Sequence, residues 1–352
     1  MQRLALLTGS SGAVLDAISA ELAAAGFTPR HAPFGADGRP RLAVDPRGAE
    51  AIVHVGLRTP RELDERLRTE AEAAAAEAAG ALAREAGVRR FVHVSAVAVY
   101  GKPWNLPCRE GELKRPRTVH ERVRWRAEQA SWAAFRAGAP LTVLRPTIVY
   151  GPTVFGGPVR ALTLVALFNQ RRRRVPIIRR GPVAHLVHLE DLARAVVHVV
   201  AHPDDRAVVG RAFNVGDEAP LPLGEHLASA LVALGYEPGR ILPTWPRLTA
   251  TLLWLFRHVP DRAIIEPANR RLAAAWGRLV SRTGTTAALA PRIDREALHW
   301  MSADHYYDTS RLAEIGWRPR HAISTEALPG TIRALVSRRV LPGSGAGALP
   351  VW

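Results

Sequence analysis

The sequence predicts an α/β fold, a doubly wound parallel sheet followed by a smaller C-terminal lobe. Short apolar runs alternate with long helical stretches, a glycine turn directly follows the first run, and the alternation loosens beyond Gly151. Residues 3 to 8 read as a short buried strand, and after the turn at Gly9 to Gly12 the Ala/Leu-rich stretch from Val14 to Ala25 reads as a helix. A second strand follows near Phe27 to Pro33. Further apolar runs are AIVHVG (51–56), FVHVS (91–95) and LTVLRPTIVYG (141–151), with a long helical segment over 60–86 between the first two. Residues 1–155, with 182–216 contributing, are expected to form the sheet domain. A substrate lobe follows over 156–335, then a flexible tail over 336–352 ending in LPGSGAGALPVW.

The 352 residues are 47% hydrophobic and 23% charged, which supplies a sizeable core and excludes a disordered chain. A formal charge of +16 suits an anionic partner. The 48 basic residues include only two lysines, Lys102 and Lys114, and much of this arginine usage reads as coding bias. Cys108 is the lone cysteine, which excludes an internal disulfide and a thiolate metal cluster and fits a reducing compartment. The opening MQRLALLTGSSG runs straight into a strand, so a cytoplasmic location, with or without membrane association, is the expectation.

LTATLLWLFRHVP (248–260) is too short to span a bilayer and is interrupted by Arg257 and His258. The stretch from Trp245 to Phe256, flanked by Arg247, Arg257 and Arg262, fits peripheral membrane contact, the wall of a lipophilic pocket, or core packing. The run Arg171 to Arg174, with Arg179 and Arg180, suits a phosphate or carboxylate. It lacks interleaved aromatics and a recognisable motif, so nucleic acid is not an expected partner. His185 and His188 sit on a strand entering a helix, and no metal site is expected there.

Seven strings fall in a familiar order: TGSSGAVL (8–15), IVHVG (52–56), AGVRRFVHVSAVAVYG (86–101), LRPTIVYGP (144–152), HLVHLEDLARAV (185–196), FNVGDEAP (213–220) and YYDTSRLAEIGWRP (306–319). Over roughly residues 3 to 335 the chain resembles the NAD-dependent epimerase/dehydratase family, the extended branch of the short-chain dehydrogenases/reductases. The resemblance implies a Rossmann-type fold binding NADP or NAD and a small-molecule substrate. Cofactor contacts are implied at Gly9, Ser10, Ser11, Gly12, Arg30, His54 and Pro146, and substrate contacts at Tyr150, Arg179 and Arg180. Gly9 and Gly12 also fit on physical grounds, because glycines after a strand let the backbone approach a pyrophosphate at a helix N-terminus. Leu15 stands where the family has a third glycine, which alters the cradle. After the second strand, Arg30 and His31 stand where a NAD site places an acid, which favours a 2′-phosphate. The segment from Gly12 to His54 is short for the family, as if a flanking helix were trimmed.

The family exchanges a proton through a tyrosine made acidic by a lysine four residues later, while a serine or threonine hydrogen-bonds the substrate oxygen. Residues four apart share a helix face. The aligned positions here are Ala96, His120 and Arg124, all substituted, with Ser95 facing the other side of its strand. Loss of a positioned general acid forfeits about 10²- to 10⁴-fold in rate, and loss of an oxyanion donor about 10²- to 10³-fold more. An imidazole still titrates near neutrality, whereas arginine cannot relay a proton. Tyr100, Tyr150, Tyr306 and Tyr307 are further acids by type, at landmarks where tyrosines pack or touch substrate. Three readings follow: an atypical dinucleotide-binding enzyme with a small or lipophilic substrate, a non-catalytic sensor or scaffold, or a cyclase- or lyase-type enzyme using the same cleft. The resemblance also implies a homodimer paired through the helix bearing His120, a question that its apolar positions Val119, Val123 and Trp125 leave open.

Overall fold

A computed structural model describes residues 3–35, 37–41, 45–57, 63–169, 174–177, 181–241, 263–294, 300 and 302–343. In chain order the elements begin β1 (Arg3–Gly9), α1 (Ala13–Ala24), β2 (Phe27–Pro33), β3 (Ala49–His54), α2 (Glu65–Glu85), β4 (Arg90–Val94), α3 (Val119–Arg136) and β5 (Leu141–Pro146). There follow β6 (Ile148–Tyr150), α4 (Gly157–Phe168), β7 (Arg174–Ile177), β8 (Val183–Ala184), β9 (Leu186–His188), α5 (Leu189–Ala201), α6 (Asp205–Val208) and β10 (Arg211–Val215). The last are β11 (Leu221–Pro222), α7 (Leu223–Ala233), β12 (Glu237–Ile241), α8 (Ile265–Thr283), α9 (Ser310–Glu314) and α10 (Ser324–Ser337).

Two compact units result, the first made of Met1–Thr147, Leu189–Gly216 and Tyr307–Arg320, the second of Ile148–His188, Asp217–Tyr306 and His321–Trp352. The first unit holds a six-stranded parallel sheet in the order β10-β5-β4-β3-β1-β2. The expected strand over 141–151 is two strands. β5 ends at Pro146, Thr147 N–H donates to Val215 O, and Ile148 N–H donates instead to His185 O, so the ladder changes partner within one residue. The tail also starts later than expected, because α10 runs to Ser337 and both Val340 and Leu341 are buried. Among the described residues, no helix is long and apolar enough to cross a membrane.

The sheet is covered on both faces because its helices carry apolar stripes at helical spacing. Leu15, Ile18 and Leu22 form the buried face of α1, which packs beside α5. On α2 the stripe is Ala71, Ala75, Ala79 and Ala83, packed with Ile52, Phe91 and Leu141 of the sheet. Such small side chains allow close helix contact. A Cβ on Gly80 would lie 2.4 Å from the Cβ of Ala134 on α3. The second unit has its own core, in which Tyr150, Leu162, Leu186, Leu231, Ile332 and Leu335 meet.

Two polar features run through the apolar interior of the first unit. In the first, the register sets Thr8, His54 and His93 side by side on β1, β3 and β4. Thr8 Oγ1 lies 2.9 Å from His54 Nδ1, the two imidazole rings are 5.4 Å apart, and His93 Nδ1 lies 3.0 Å from Ser131 Oγ on α3. In the second, the buried Glu128 of α3 accepts from Arg145 Nη2 at 2.6 Å and Nε at 3.1 Å, from Ser95 Oγ at 2.7 Å and from Trp132 Nε1 at 3.1 Å. Arg145 Nη1 also donates to Tyr100 Oη and to Glu110 O, and Tyr100 Oη donates to Asn214 Oδ1 at 2.8 Å. Burial alone would raise the Glu128 carboxyl, but the Arg145 guanidinium and these hydrogen bonds hold it below its usual range.

Removing one partner from such a pair strands a buried charge. Glu128→Ala and Arg145→Met are each expected to cost about 3–5 kcal/mol in urea denaturation, and the double variant less than the sum of the two. A pH dependence follows from the histidines. Burial pushes His93 down to about 4 and, with His93 and the Arg124 guanidinium as neighbours, holds His54 well below the usual imidazole range. Both stay neutral in the folded chain while the unfolded chain takes up protons near pH 6.5, so stability falls as pH drops from about 6.5 toward about 4. His93→Gln should remove up to about 1.4 kcal/mol per pH unit from that slope, and an unchanged slope would refute a neutral buried imidazole.

Candidate functional site

The chain leaves β1 for β2 on one side and returns to β3 on the other, so the sheet's topological switch point lies between β1 and β3. In open parallel sheets a crevice forms there, at the carboxyl ends of the strands. Two glycine turns and one helix meet at this place. Gly9 has φ +115°, and a Cβ on it would stand 2.5 Å from the carbonyl oxygen of Gly56, which accepts the Ser10 N–H at 2.9 Å. Gly12, at φ +155°, is the N-cap of α1 and offers no side chain to cap it. Ser10 is half-buried and Ser11 exposed, so the N-terminal end of α1 meets solvent through small residues. Leu15 lies on the buried stripe of α1, where it packs as core.

The third contributor is α3, whose start is fixed by a capping box between Thr118 and Glu121. Arg124 reaches from this helix to the turn after β3. A Cβ on Gly56, at φ +78°, would fall 2.4 Å from Arg124 Nη1. The guanidinium is steered there by Glu72 of α2, whose carboxylate is buried, lies 3.7 Å from Arg124 Nη1 and accepts the Leu57 N–H at 3.1 Å. Arg124 keeps 23% of its side chain exposed, so it presents charge at the glycine turns. His120 is half-buried one turn earlier on α3. Ala96, at the end of β4, caps the short 3₁₀ turn Val97–Tyr100. The hydroxyl beside it is committed elsewhere, since Ser95 is buried and donates to Glu128.

Several expected contacts are corrected. His54 is fully buried, hydrogen-bonded to Thr8 with its ring tilted against that of His93, so its side chain does not reach the surface; the backbone at Gly56 occupies the switch point instead. Arg30 is exposed but pairs with Leu6 in mid-strand, three residues before β2 ends, rather than at the carboxyl edge. His31 does reach the turn, its Nε2 lying 3.3 Å from Gly9 O. Pro146 is buried as the last residue of β5. Tyr150 belongs to the second unit and is fully buried, with its ring edge-on to His188. Arg171, Arg172, Arg173, Arg179, Arg180 and the stretch from Trp245 to Phe256 lie outside the described residues. Tyr100 and Tyr307 are buried, and burial raises both phenols, so neither gives up its proton near neutrality.

Two arginines escaped the sequence reading. Beyond β2 the chain folds into a turn in which Gly35 N–H donates to Arg39 O and Arg41 N–H to Pro33 O. Gly38, at φ +79°, presses on α2, where a Cβ would meet Ala71 O at 2.2 Å. A cleft of about 380 Å³ is lined here by Gly35, Asp37, Arg39, Pro40 and Arg41. The strand boundary itself was the missed signal, because ligand-facing positions follow the last strand residue, Pro33. The described part of this β2–β3 connection contains no helix, in line with the shortness of the segment. After the 3₁₀ turn, a small pocket of about 140 Å³ is lined by Tyr100, Cys108 and the largely exposed Trp104 and Leu113, with Arg115 stacked over the Trp104 ring.

The fold is shared with many solved proteins. A UDP-galactose 4-epimerase superposes with TM-score 0.64 at 16% identity, covering 95% of this chain and 99% of its own. RMD from Pseudomonas aeruginosa, solved with NADPH, gives 0.61 at 16%, covering 96% and 99%. A short-chain dehydrogenase/reductase superfamily protein from Agrobacterium tumefaciens with bound NAD gives 0.54 at 21%, covering 68% and 85%. At these identities the likeness is one of fold. No curated protein sequence matches the chain. Residues 43–216, which run from the approach to β3 through β10, match the model of the NAD dependent epimerase/dehydratase family, so the chain carries a domain of that family.

Proposed function

We propose that the first unit binds a nicotinamide dinucleotide with its pyrophosphate on the Gly9–Gly12 turn, and that Arg124 supplies the cation beside it. The observation that carries this reading is the meeting of the Gly9 turn, Gly56 and the Arg124 guanidinium at the switch point. The residues fit such a group. Backbone N–H groups at the start of α1 are unclaimed by any capping side chain, the glycines admit no Cβ, and the nearby side chain is cationic. Solved neighbours with NADPH or NAD bound support the class of cofactor. Arg39 and Arg41, exposed at the end of β2, support a 2′-phosphate and hence NADP.

When bound, such a cofactor supplies hydride donation or acceptance. The chain must then orient the substrate and move a proton. Arg124 holds charge but cannot release a proton at neutral pH. Ala96 offers no hydrogen bond to a substrate oxygen. His120, one turn from Arg124 on the same helix face, is the side chain in this set whose type can both give and take a proton. The Trp104 and Leu113 pocket supports a small or lipophilic substrate. A second reading, a dinucleotide-responsive protein without turnover, is favoured by one observation: the hydroxyl nearest Ala96 is locked onto Glu128.

Saturating NADPH is expected to raise the melting temperature by an amount equivalent to about 2.7 kcal/mol at 100 times Kd. Gly9→Ala should abolish that shift and cost about 1–3 kcal/mol of stability by itself. Arg39→Ala with Arg41→Ala should weaken NADPH roughly 10- to 100-fold in calorimetry while leaving NADH unchanged; equal losses would remove the 2′-phosphate assignment. For turnover, His120→Ala should lower kcat about 10²-fold or more on any substrate found, and unchanged kcat would favour the second reading.

A further inference from the structure

In the second unit, the described residues of α4 and α8 share an apolar seam outside the main core cluster. Ala166 and Leu167 of α4 pack on Leu272, Trp276 and Leu279 of α8, at helical spacing. Beside that seam lies an open groove of about 700 Å³, into which Leu164 and Phe168 project from α4. Phe168 keeps 68% of its surface exposed. Arg271, Arg278 and Arg282 line the same groove from α8, and all three are exposed. At 1.5 Å rise per residue this row extends roughly 16 Å along the helix. Along its whole length α8 carries these three and Arg270 against a single acid, Glu266.

An apolar groove with a cationic row along one wall complements an amphiphile whose head is anionic. The length of the row selects among such partners. One carboxylate or phosphate reaches one or two guanidinium groups, whereas a plane of headgroups meets all three. We propose that the α4–α8 face docks on an anionic phospholipid bilayer, with Phe168 entering the interfacial layer and Arg271, Arg278 and Arg282 pairing with lipid phosphates. Arginine stems cover apolar surface while their heads stay at the headgroup level, which suits this geometry. The proposal is independent of dinucleotide binding in the first unit.

The full chain should cosediment with phosphatidylcholine vesicles containing about one third phosphatidylglycerol, but not with pure phosphatidylcholine, and high salt should weaken the binding. Reversing Arg271, Arg278 and Arg282 to Glu should lower the partition coefficient roughly 100-fold. Reversing the equally exposed Arg84, Arg126 and Arg136 of the first unit changes net charge by the same amount and should lower it far less. Phe168→Ser, at an exposed position, should weaken binding without altering its salt dependence. Equal losses in the two triple variants would reduce the effect to overall charge and overturn the assignment. So would the absence of vesicle binding at low salt, or groove occupancy by monomeric oleate with no partition to vesicles.

Discussion

A carboxylate and a guanidinium buried face to face fix where α3 can lie. Placing Glu128 and Arg145 inside the first unit is tolerable because their polar atoms are taken up: the carboxylate receives Ser95, Trp132 and both Arg145 contacts, and the guanidinium also reaches Tyr100 and the Glu110 carbonyl. An apolar helix face can slide or rotate by a fraction of a turn at small cost. This one cannot, since any displacement strands a charge. Arg124 sits one turn before Glu128 and His120 two turns before it, so both inherit their position from a contact that is itself remote from solvent.

From that fixed helix the rest of the candidate site follows. Arg124 can press against Gly56 only because residue 56 has no Cβ, and the Gly56 carbonyl can press against residue 9 only because that residue has none either. Glu72 then sets the direction of the guanidinium and absorbs part of its charge. The result is a cationic rim on a backbone cradle. It is suited to holding an anion in place and poorly suited to passing protons, a different balance from that of a tyrosine and lysine on the same helix.

The fold was largely legible because parallel sheets write themselves as apolar runs between amphipathic helices, and β1, α1, β2, β3 and β4 fall within a few residues of where the pattern puts them. The glycine turn was legible for a related reason, since Gly9 and Gly12 have few other uses directly after a strand. Other features had no local signature. The run 141–151 is apolar throughout, and nothing in it marks the change of partner from Val215 to His185. His54 was implied as a ligand contact by the family resemblance alone; its burial depends on His93 and Ser131, far away in sequence. Arg145, Glu110 and Asn214 form one buried network from three separate segments, which no spacing rule anticipates. Arg39 and Arg41 were hidden by abundance, in a chain where arginine is the commonest charge.

The described part of the crossing from β2 to β3 contains no helix and meets α2 at Gly38, where parallel strands are usually joined through a helix. A helix there would be welded to the sheet by an apolar stripe, and moving it would breach the interior. The described turn therefore meets α2 through backbone at Gly38 and the core through Phe34, so the outward Arg39 and Arg41 can change identity without disturbing the alanine seam.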